Sequence, residues 1–275
     1  MASHARPGGR QFDAKRQVSI TYEGLDRVDG SARFGFGPPR ARAPITGDAR
    51  RQVRPLPGIP GTDAKALATT LKSIFAPSLF LSHHPRTLVQ VVAQALCGSE
   101  SGSGTGSAGR GWNASLVASL VNATAAALVN AASVPMRGVV CAVAVGRLRS
   151  DATHGDGDGS VLLLDPEEAE LGKLAGSGCF AFLFSSSLPA SGSDSPETPP
   201  CSLLWTNYTT AAPFDVSELG KARELAEKGA TEVWLALKES IGSKSTAAAT
   251  VFKEVKSEPL SQPIGMDVDD AKVEI

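Results

Sequence analysis

From Gln17 onward the apolar residues fall into runs whose spacing changes between two and about 3.6, the pattern of strands and helices in alternation. In "QVSITYEGLDRVDGSARFGFG", Val18, Ile20 and Tyr22 alternate with polar residues on one arm, and Ala32, Phe34 and Phe36 do so on the other. Asp29-Gly30 lies between the arms, so the stretch reads as a β-hairpin. "TDAKALATTLKSIF" places Leu67, Leu71, Ile74 and Phe75 on one helical face, with Thr62 or Asp63 as N-cap and Pro77 near the stop. Residues 87–96 are continuously apolar, which predicts a strand covered on both faces. Asn113 then opens an Ala-rich helix through about Ala132, with Leu116, Leu120 and Leu128 as its larger apolar side chains.

"VVCAVAVGRL", "SVLLLD", "CFAFLF" and "SLLWT" read as four further strands. The last helix starts at Asp215, paired with Glu218 as in a capping box and stapled by Phe214 onto Leu219, and runs to Ile241. The order hairpin, α, β, α, β, β, β, β, α suits an α/β domain over residues 17–242, with a mixed sheet covered by helices. Residues 1–16 are expected to form a disordered arm and 243–275 a disordered acidic tail. Ser-, Gly- and Pro-rich stretches at 97–111, 148–159 and 184–200 read as long loops.

Composition narrows the function. Of 275 residues, 42 % are hydrophobic, and 27 basic side chains stand against 28 acidic ones. No global charge draws the chain to nucleic acid or to an anionic membrane, so such affinity has to come from a local patch. Residues 1–54 carry eleven Lys or Arg against five acids, whereas 253–275 carry six acids against three lysines. The N-terminus lacks a signal-peptide core and no run reaches the roughly 18 apolar residues of a membrane span, so a soluble intracellular protein is expected. Cys97, Cys141, Cys179 and Cys201 are widely spaced and read as free thiols rather than a disulfide or zinc framework. Sequons at Asn113, Asn122 and Asn207 are set aside without a secretory route.

Five places offer chemistry. Gly104-x-Gly106-x-x-Gly109 follows a strand and precedes a helix, as a dinucleotide fingerprint does, but it lies inside a Ser/Gly run and no Asp or Glu occurs between Gly111 and Arg149 to hold a ribose. His83-His84 cannot both face one metal from an extended segment, and no H-x-x-x-H or nearby cysteine completes a site. Asp156 and Asp158 in "HGDGDGS" lack the glutamate of a calcium loop. The cluster Asp165 to Glu170 ends an apolar strand, where Glu167, Glu168 or Glu170 would serve as acid or Mg²⁺ ligand, or where Pro166 simply makes a polar turn. Arg86, anchored ahead of a buried run, has the planar fork that suits phosphate, or pairs with an acid of that cluster.

Six blocks, "DGSARF", "RPLPGIPGT", "HPRTLVQVV", "LVNAASVPMRGVVCAVAVG", "LLLDPEE" and "PFDVSELGKARELAEKGA", stand in the order found in the RNase PH family and together resemble it. Within the family the closest likeness is to the RNase PH-type ring subunits of the eukaryotic RNA exosome. The resemblance implies one domain of the ribosomal-protein-S5-domain-2-like class. It also implies assembly with RNase PH-like and RNA-binding subunits into a hetero-hexameric ring that passes single-stranded RNA, in nucleus, nucleolus and cytoplasm, for rRNA processing and mRNA decay.

Active relatives cut RNA from the 3′ end with phosphate, using an arginine at the head of the Ala-rich helix and paired aspartates after the strand. Here those positions fall on about Val117, and near Ala169 and Ala175. The resemblance therefore implies a non-catalytic relative with no cofactor and no metal, and carries RNA contact over to Arg86. The alternatives are an active phosphorolytic 3′-to-5′ exoribonuclease using the Glu167 to Glu170 acids, and a nucleotide-binding enzyme using Gly104 to Gly109. Between "DGSARF" and "RPLPG" the family has a further strand and a half that is not legible here, so a gap in the sheet is expected. Arg40, Arg42, Arg50 and Arg51 in that stretch are weak candidates for RNA phosphate contact or an exposed loop. "VKSEP" fits the SUMO acceptor pattern at Lys256.

Overall fold

The computed structural model describes residues 6, 9–22, 28–37, 45–48, 62–83, 85–95, 113–148, 161–188, 198–211 and 213–257, with backbone alone at 45–48, 63 and 244–257. His84, Arg40, Arg42, Arg50, Arg51, Gly104 to Gly109, Asp156 and Asp158 lie outside these residues, and so do the loop 97–111 and most of 148–159 and 184–200. Lys256 falls where the backbone alone is described.

The hairpin forms as its alternation requires, from β1 (Val18–Thr21) and β2 (Ser31–Phe36), paired antiparallel with Ile20 opposite Phe34. The expected gap beside it is filled. β3 (Ile45–Asp48) pairs antiparallel with β2, and β4 (Val92–Gln94) pairs with β3, giving a four-stranded sheet in the order β1-β2-β3-β4. "ITGD" carries no strand signal of its own, because one apolar residue in four shows no alternation. Its backbone groups pair whatever its side chains are. Of the apolar run 87–96, three residues enter the ladder.

The second sheet runs β6 (Leu162–Leu164), β5 (Val139–Leu148), β7 (Leu174–Phe184) and β8 (Cys201–Thr206), with β9 (Thr209–Thr210) also on β7. All pairings among the described strands are antiparallel. The α/β class stands, with its strands divided between two sheets.

α1 (Thr62–Phe75) follows its predicted bounds, burying Leu67, Leu71, Ile74 and Phe75. α2 (Ala114–Ala131) is capped by Asn113, whose side chain accepts from the Ser115 N–H at 3.0 Å. It packs against β2, β3 and β4 of one sheet and β5 and β7 of the other. That double burial is why it is Ala-rich and apolar on nearly every side. By length and hydropathy α2 would also pass as a membrane span, which the sequence count above missed. Gly30 ends the β2 approach against Ala131 of α2, where any Cβ would collide with that backbone.

α3 (Glu168–Leu171) is one turn, and α4 (Val216–Ser257) is far longer than predicted. Asp215 caps α4 through the Val216 N–H at 2.7 Å. Glu218, expected to close a capping box, instead accepts from Tyr208 Oη at 3.1 Å and lies 3.3 Å from Arg147. Phe214 packs edge-on against Tyr208. The chain divides into units 1–240 and 241–275. Within the second, the described residues are helical to Ser257, where a disordered tail from 243 was expected.

Residues 1–16 were expected to be a disordered arm, and residues 6 and 9–16 are not. Phe12 O accepts from the Leu164 N–H at 2.8 Å, laying the arm along β6. Arg6 is 5 % exposed.

All three sequon asparagines are structural. Asn113 caps α2, Asn207 Oδ1 accepts from the Cys179 N–H at 2.7 Å, and Asn122 is fully buried. Cys141, Cys179 and Cys201 are free, as expected, and Cys97 lies outside the described residues.

Candidate functional site: a neutralised acid cluster and an exposed arginine loop

Two places separate at opposite ends of α2, about 24 Å apart at 1.5 Å per residue between Ser115 and Ala131. At the N-terminal end, Ser115 Oγ donates to Pro166 O at 3.1 Å, which ties the helix to the acid cluster after β6. There the chain turns sharply. Asp165 takes a left-handed φ of 50°, and Glu170 accepts from the Glu167 N–H at 2.7 Å to start α3.

The N-terminal arm brings three arginines onto this turn. Arg6 grips Glu170 with both fork positions, Nε to Oε1 at 2.8 Å and Nη2 to Oε2 at 2.9 Å, and also donates to the carbonyls of Leu164 and Asp165. Arg16 holds Asp165 through its backbone N–H and through Nε at 2.7 Å and Nη2 at 2.6 Å. Arg10 sits between them. Its Nη2 lies 2.9 Å from Glu167 Oε1 and 3.7 Å from Glu170 Oε2, yet neither Nε nor Nη2 makes a well-directed hydrogen bond. Arg10 is held there by a long hydrogen bond from Nη1 to Asp165 O at 3.4 Å and otherwise by charge.

The protonation pattern follows. Burial alone would raise the Glu170 carboxyl, but the Arg6 hydrogen bonds, the Glu167 N–H and the Arg6 and Arg10 charges outweigh it, leaving Glu170 below the ordinary glutamate value. Burial likewise works against charged Arg16, and the Asp165 hydrogen bond and charge reverse it upward. For Arg10, burial and the neighbouring Arg6 charge win, and its value falls.

Three guanidinium groups face Asp165, Glu167 and Glu170, so these three charges are balanced, and both carboxylate oxygens of Asp165 and of Glu170 are engaged. Of the acids considered as catalytic, Glu167 and Glu170 are thus paired with arginines, and Glu168 is exposed on α3. The position expected for a phosphate-binding arginine, Val117, is an apolar side chain 2 % exposed. Ala169 and Ala175 carry no carboxylate. Among the described residues, no group of three or more His, Cys, Asp or Glu is placed to hold a metal. Sequence reasoning missed the arm. Its available signal was the basic excess of residues 1–54, of which Arg6, Arg10 and Arg16 face this cluster.

At the other end of α2 lies the loop that carries Arg86. Arg86 is exposed, takes a left-handed φ of 69°, and pairs with none of the cluster acids. Left-handed backbone at a non-glycine residue stores strain and is found disproportionately at binding sites. The loop is tied to the turn before β5: Leu79 bridges Met136, the Phe80 N–H donates to Pro135 O at 3.0 Å, and the Arg137 N–H donates to Ser78 O at 2.7 Å. His83 closes a 3₁₀ turn (Leu81–His83) rather than an extended segment, so the extended-strand argument against a histidine pair does not apply to it. Its ring stacks on Phe80, with centroids 5.0 Å apart and planes 12° apart. Arg137 lies over Phe80 at 5.2 Å. A groove of about 670 Å³, with Lys72, Phe80, Thr87, Leu88 and Pro135 on its walls, runs beneath the loop and not beside the acid cluster.

No model of a known protein family matches the chain. Solved structures do. A crystal structure of rice (Oryza sativa) Rrp46 matches with a TM-score of 0.62 at 20 % identity, over 85 % of this chain and 98 % of that one. A chain of the Archaeoglobus fulgidus exosome with RNA bound to its active site matches with a TM-score of 0.57 at 14 % identity, over 85 % of this chain and 92 % of that one. Both are RNase PH-like exosome ring proteins, and the fold of this chain is theirs.

Proposed function

We propose that this chain is a non-catalytic RNase PH-like subunit of an RNA exosome ring, of the kind known as exosome component five. It supports 3′-to-5′ RNA processing and decay, including rRNA processing and mRNA decay, by completing a hetero-hexameric ring and guiding RNA. The proposal includes residence in the nucleus and nucleolus as well as the cytoplasm. The observation that carries it is the charge-balanced acid cluster joined to an apolar Val117. Phosphoryl transfer depends on positioned cations and metal around the transferring group, and here the arginines are spent on the chain's own carboxylates. The fold it shares with exosome chains, one of them with RNA bound, supports the ring and the RNA.

The test is the native mass and composition of the complex that the chain brings out of its own cells, tagged at its C-terminus because the N-terminal arm is packed. One copy among several different RNase PH-like and RNA-binding subunits is expected, with no phosphate-dependent release of nucleoside diphosphates by the purified chain. A homo-oligomer that phosphorolyses RNA would overturn the scaffold reading in favour of an active exoribonuclease. Arg86→Ala is expected to weaken ultraviolet crosslinking of RNA to the assembled ring severalfold without dissociating it. Unchanged crosslinking would make Arg86 a structural loop residue.

A further inference from the structure

We propose that Phe80 and His83 form a nucleobase-stacking platform, with Arg137 and Arg86 as its flanking cations; this rests on the reading of the chain as an RNA-guiding subunit and adds a site to it. Single-stranded nucleic acid is bound without strict sequence preference where an exposed ring accepts a base and nearby cations accept its phosphates. Both parts are present in this loop. Phe80 covers one face of the His83 imidazole at near-parallel geometry, and His83 is exposed, so the proposed base stacks on the face turned away from Phe80.

The platform is held before any ligand arrives. Phe80 is pinned by Pro135 O, the His83 N–H donates to Phe80 O at 3.1 Å, and the Arg137 carbonyl accepts from Ser185 Oγ at 2.6 Å. Stacking on a fixed ring avoids the ordering cost that a floppy aromatic would impose. Arg137 lies over Phe80, and Arg86 follows His83 by three residues, within about 10 Å of extended chain. One nucleotide therefore reaches ring and guanidinium together. Leu81, 53 % exposed, and Leu88, 62 % exposed, extend the apolar surface on the same groove. Among the described residues, Lys72 and Asp29 are the charged ones on that groove's wall, and the cations Lys72, Arg86 and Arg137 outnumber the acid around the loop. That balance suits a polyanion with flat apolar faces better than an acidic or basic peptide.

The experiment compares an oligouridine with an abasic oligonucleotide of the same length and charge, by equilibrium binding to the full chain, alone and in its complex. His83→Ala is expected to weaken the oligouridine about five- to tenfold, the lower part of what one stacked base contributes, and to leave the abasic strand unchanged. His83→Trp should restore or tighten binding, while Arg86→Ala should weaken both strands alike. If the wild-type chain binds oligouridine but is indifferent to His83→Ala, or loses both strands equally, the platform is refuted and the RNA reading stands. If the wild type binds neither strand, both ideas fall. Loss of subunit association with RNA binding retained would identify the loop as a protein contact and also overturn the platform.

Discussion

Arg6→Ala is expected to destabilise the domain by about 3 kcal/mol, a melting-temperature loss of roughly 6–12 °C for a domain of this size. Removing one partner of a buried ion pair leaves the other charge buried without compensation, which costs about 3–5 kcal/mol. The low end applies because Glu170 keeps the Glu167 N–H at 2.7 Å and Arg10 Nη2 at 3.7 Å. The arm also loses its anchor, so residues 9–16 should become protease-sensitive before the sheets melt. Arg6→Met combined with Glu170→Leu removes both charges and should recover most of the loss, since apolar replacements of buried ion pairs are often neutral or better.

Acid should reproduce the effect. The folded Glu170 value is depressed below 4.5, so its contribution is complete above the unfolded value and disappears as pH falls through the folded one. Arm protection measured by hydrogen exchange should therefore hold from neutrality to about the ordinary glutamate value and fall below it. Arg6→Ala should flatten that dependence. Protection that is independent of both Arg6 and acid would show that Phe12 and the β6 contact hold the arm instead.

Arg6 also marks the limit of what sequence could reveal. α1, β5 and the Asn113 cap were legible because each rests on neighbours a few residues apart: a 3.6-residue face, a continuous apolar run, a side chain reaching two residues on. Arg6 and Glu170 are 164 residues apart, and no periodic signal spans such a gap. The basic excess of residues 1–54 was visible, but its destination was a matter of tertiary structure. β3 was hidden for a different reason, since "ITGD" joins the sheet by backbone pairing rather than by side-chain alternation. α4 overran its predicted end at Ile241 because nothing in "GSKSTAAATVFKEVKS" except Gly242 breaks a helix. Of the site residues, Arg86 was singled out by its place ahead of the apolar run and Val117 by the family resemblance; the structure shows the first exposed and the second buried. The stacking of Phe80 on His83 was not legible, because the 3₁₀ turn that brings their rings together breaks the extended reading of "LFLSHHPR".

Asn122→Leu is expected to cost about as much as Arg6→Ala, for a purely neutral reason. β5 pairs with β7 along one edge, while β6 covers residues 145–147 alone on the other. Beyond β6 the open edge is completed by other groups: the Asp165 N–H donates to Ala144 O at 2.8 Å, and the Asn122 side chain takes both groups of Ala142. Its Oδ1 accepts from the Ala142 N–H at 2.7 Å and its Nδ2 donates to the Ala142 carbonyl at 2.8 Å, so one amide stands in for a missing strand residue. Leucine fills a similar volume but leaves a donor and an acceptor unsatisfied in a place no water reaches, at about 1–3 kcal/mol each. The expected loss is therefore roughly 2–6 kcal/mol, a large share of the ~5–15 kcal/mol that holds an ordinary domain folded. Asn122→Asp keeps the acceptor, loses the donor and buries a charge, and should be worse at neutral pH and partly relieved by acid. Denaturant midpoints of the parent and the two variants, followed across pH, separate the cases. An Asn122→Leu variant as stable as the parent would mean that β5 finds another partner for its open edge. The division of the strands into two sheets around α2 would then owe nothing to this asparagine.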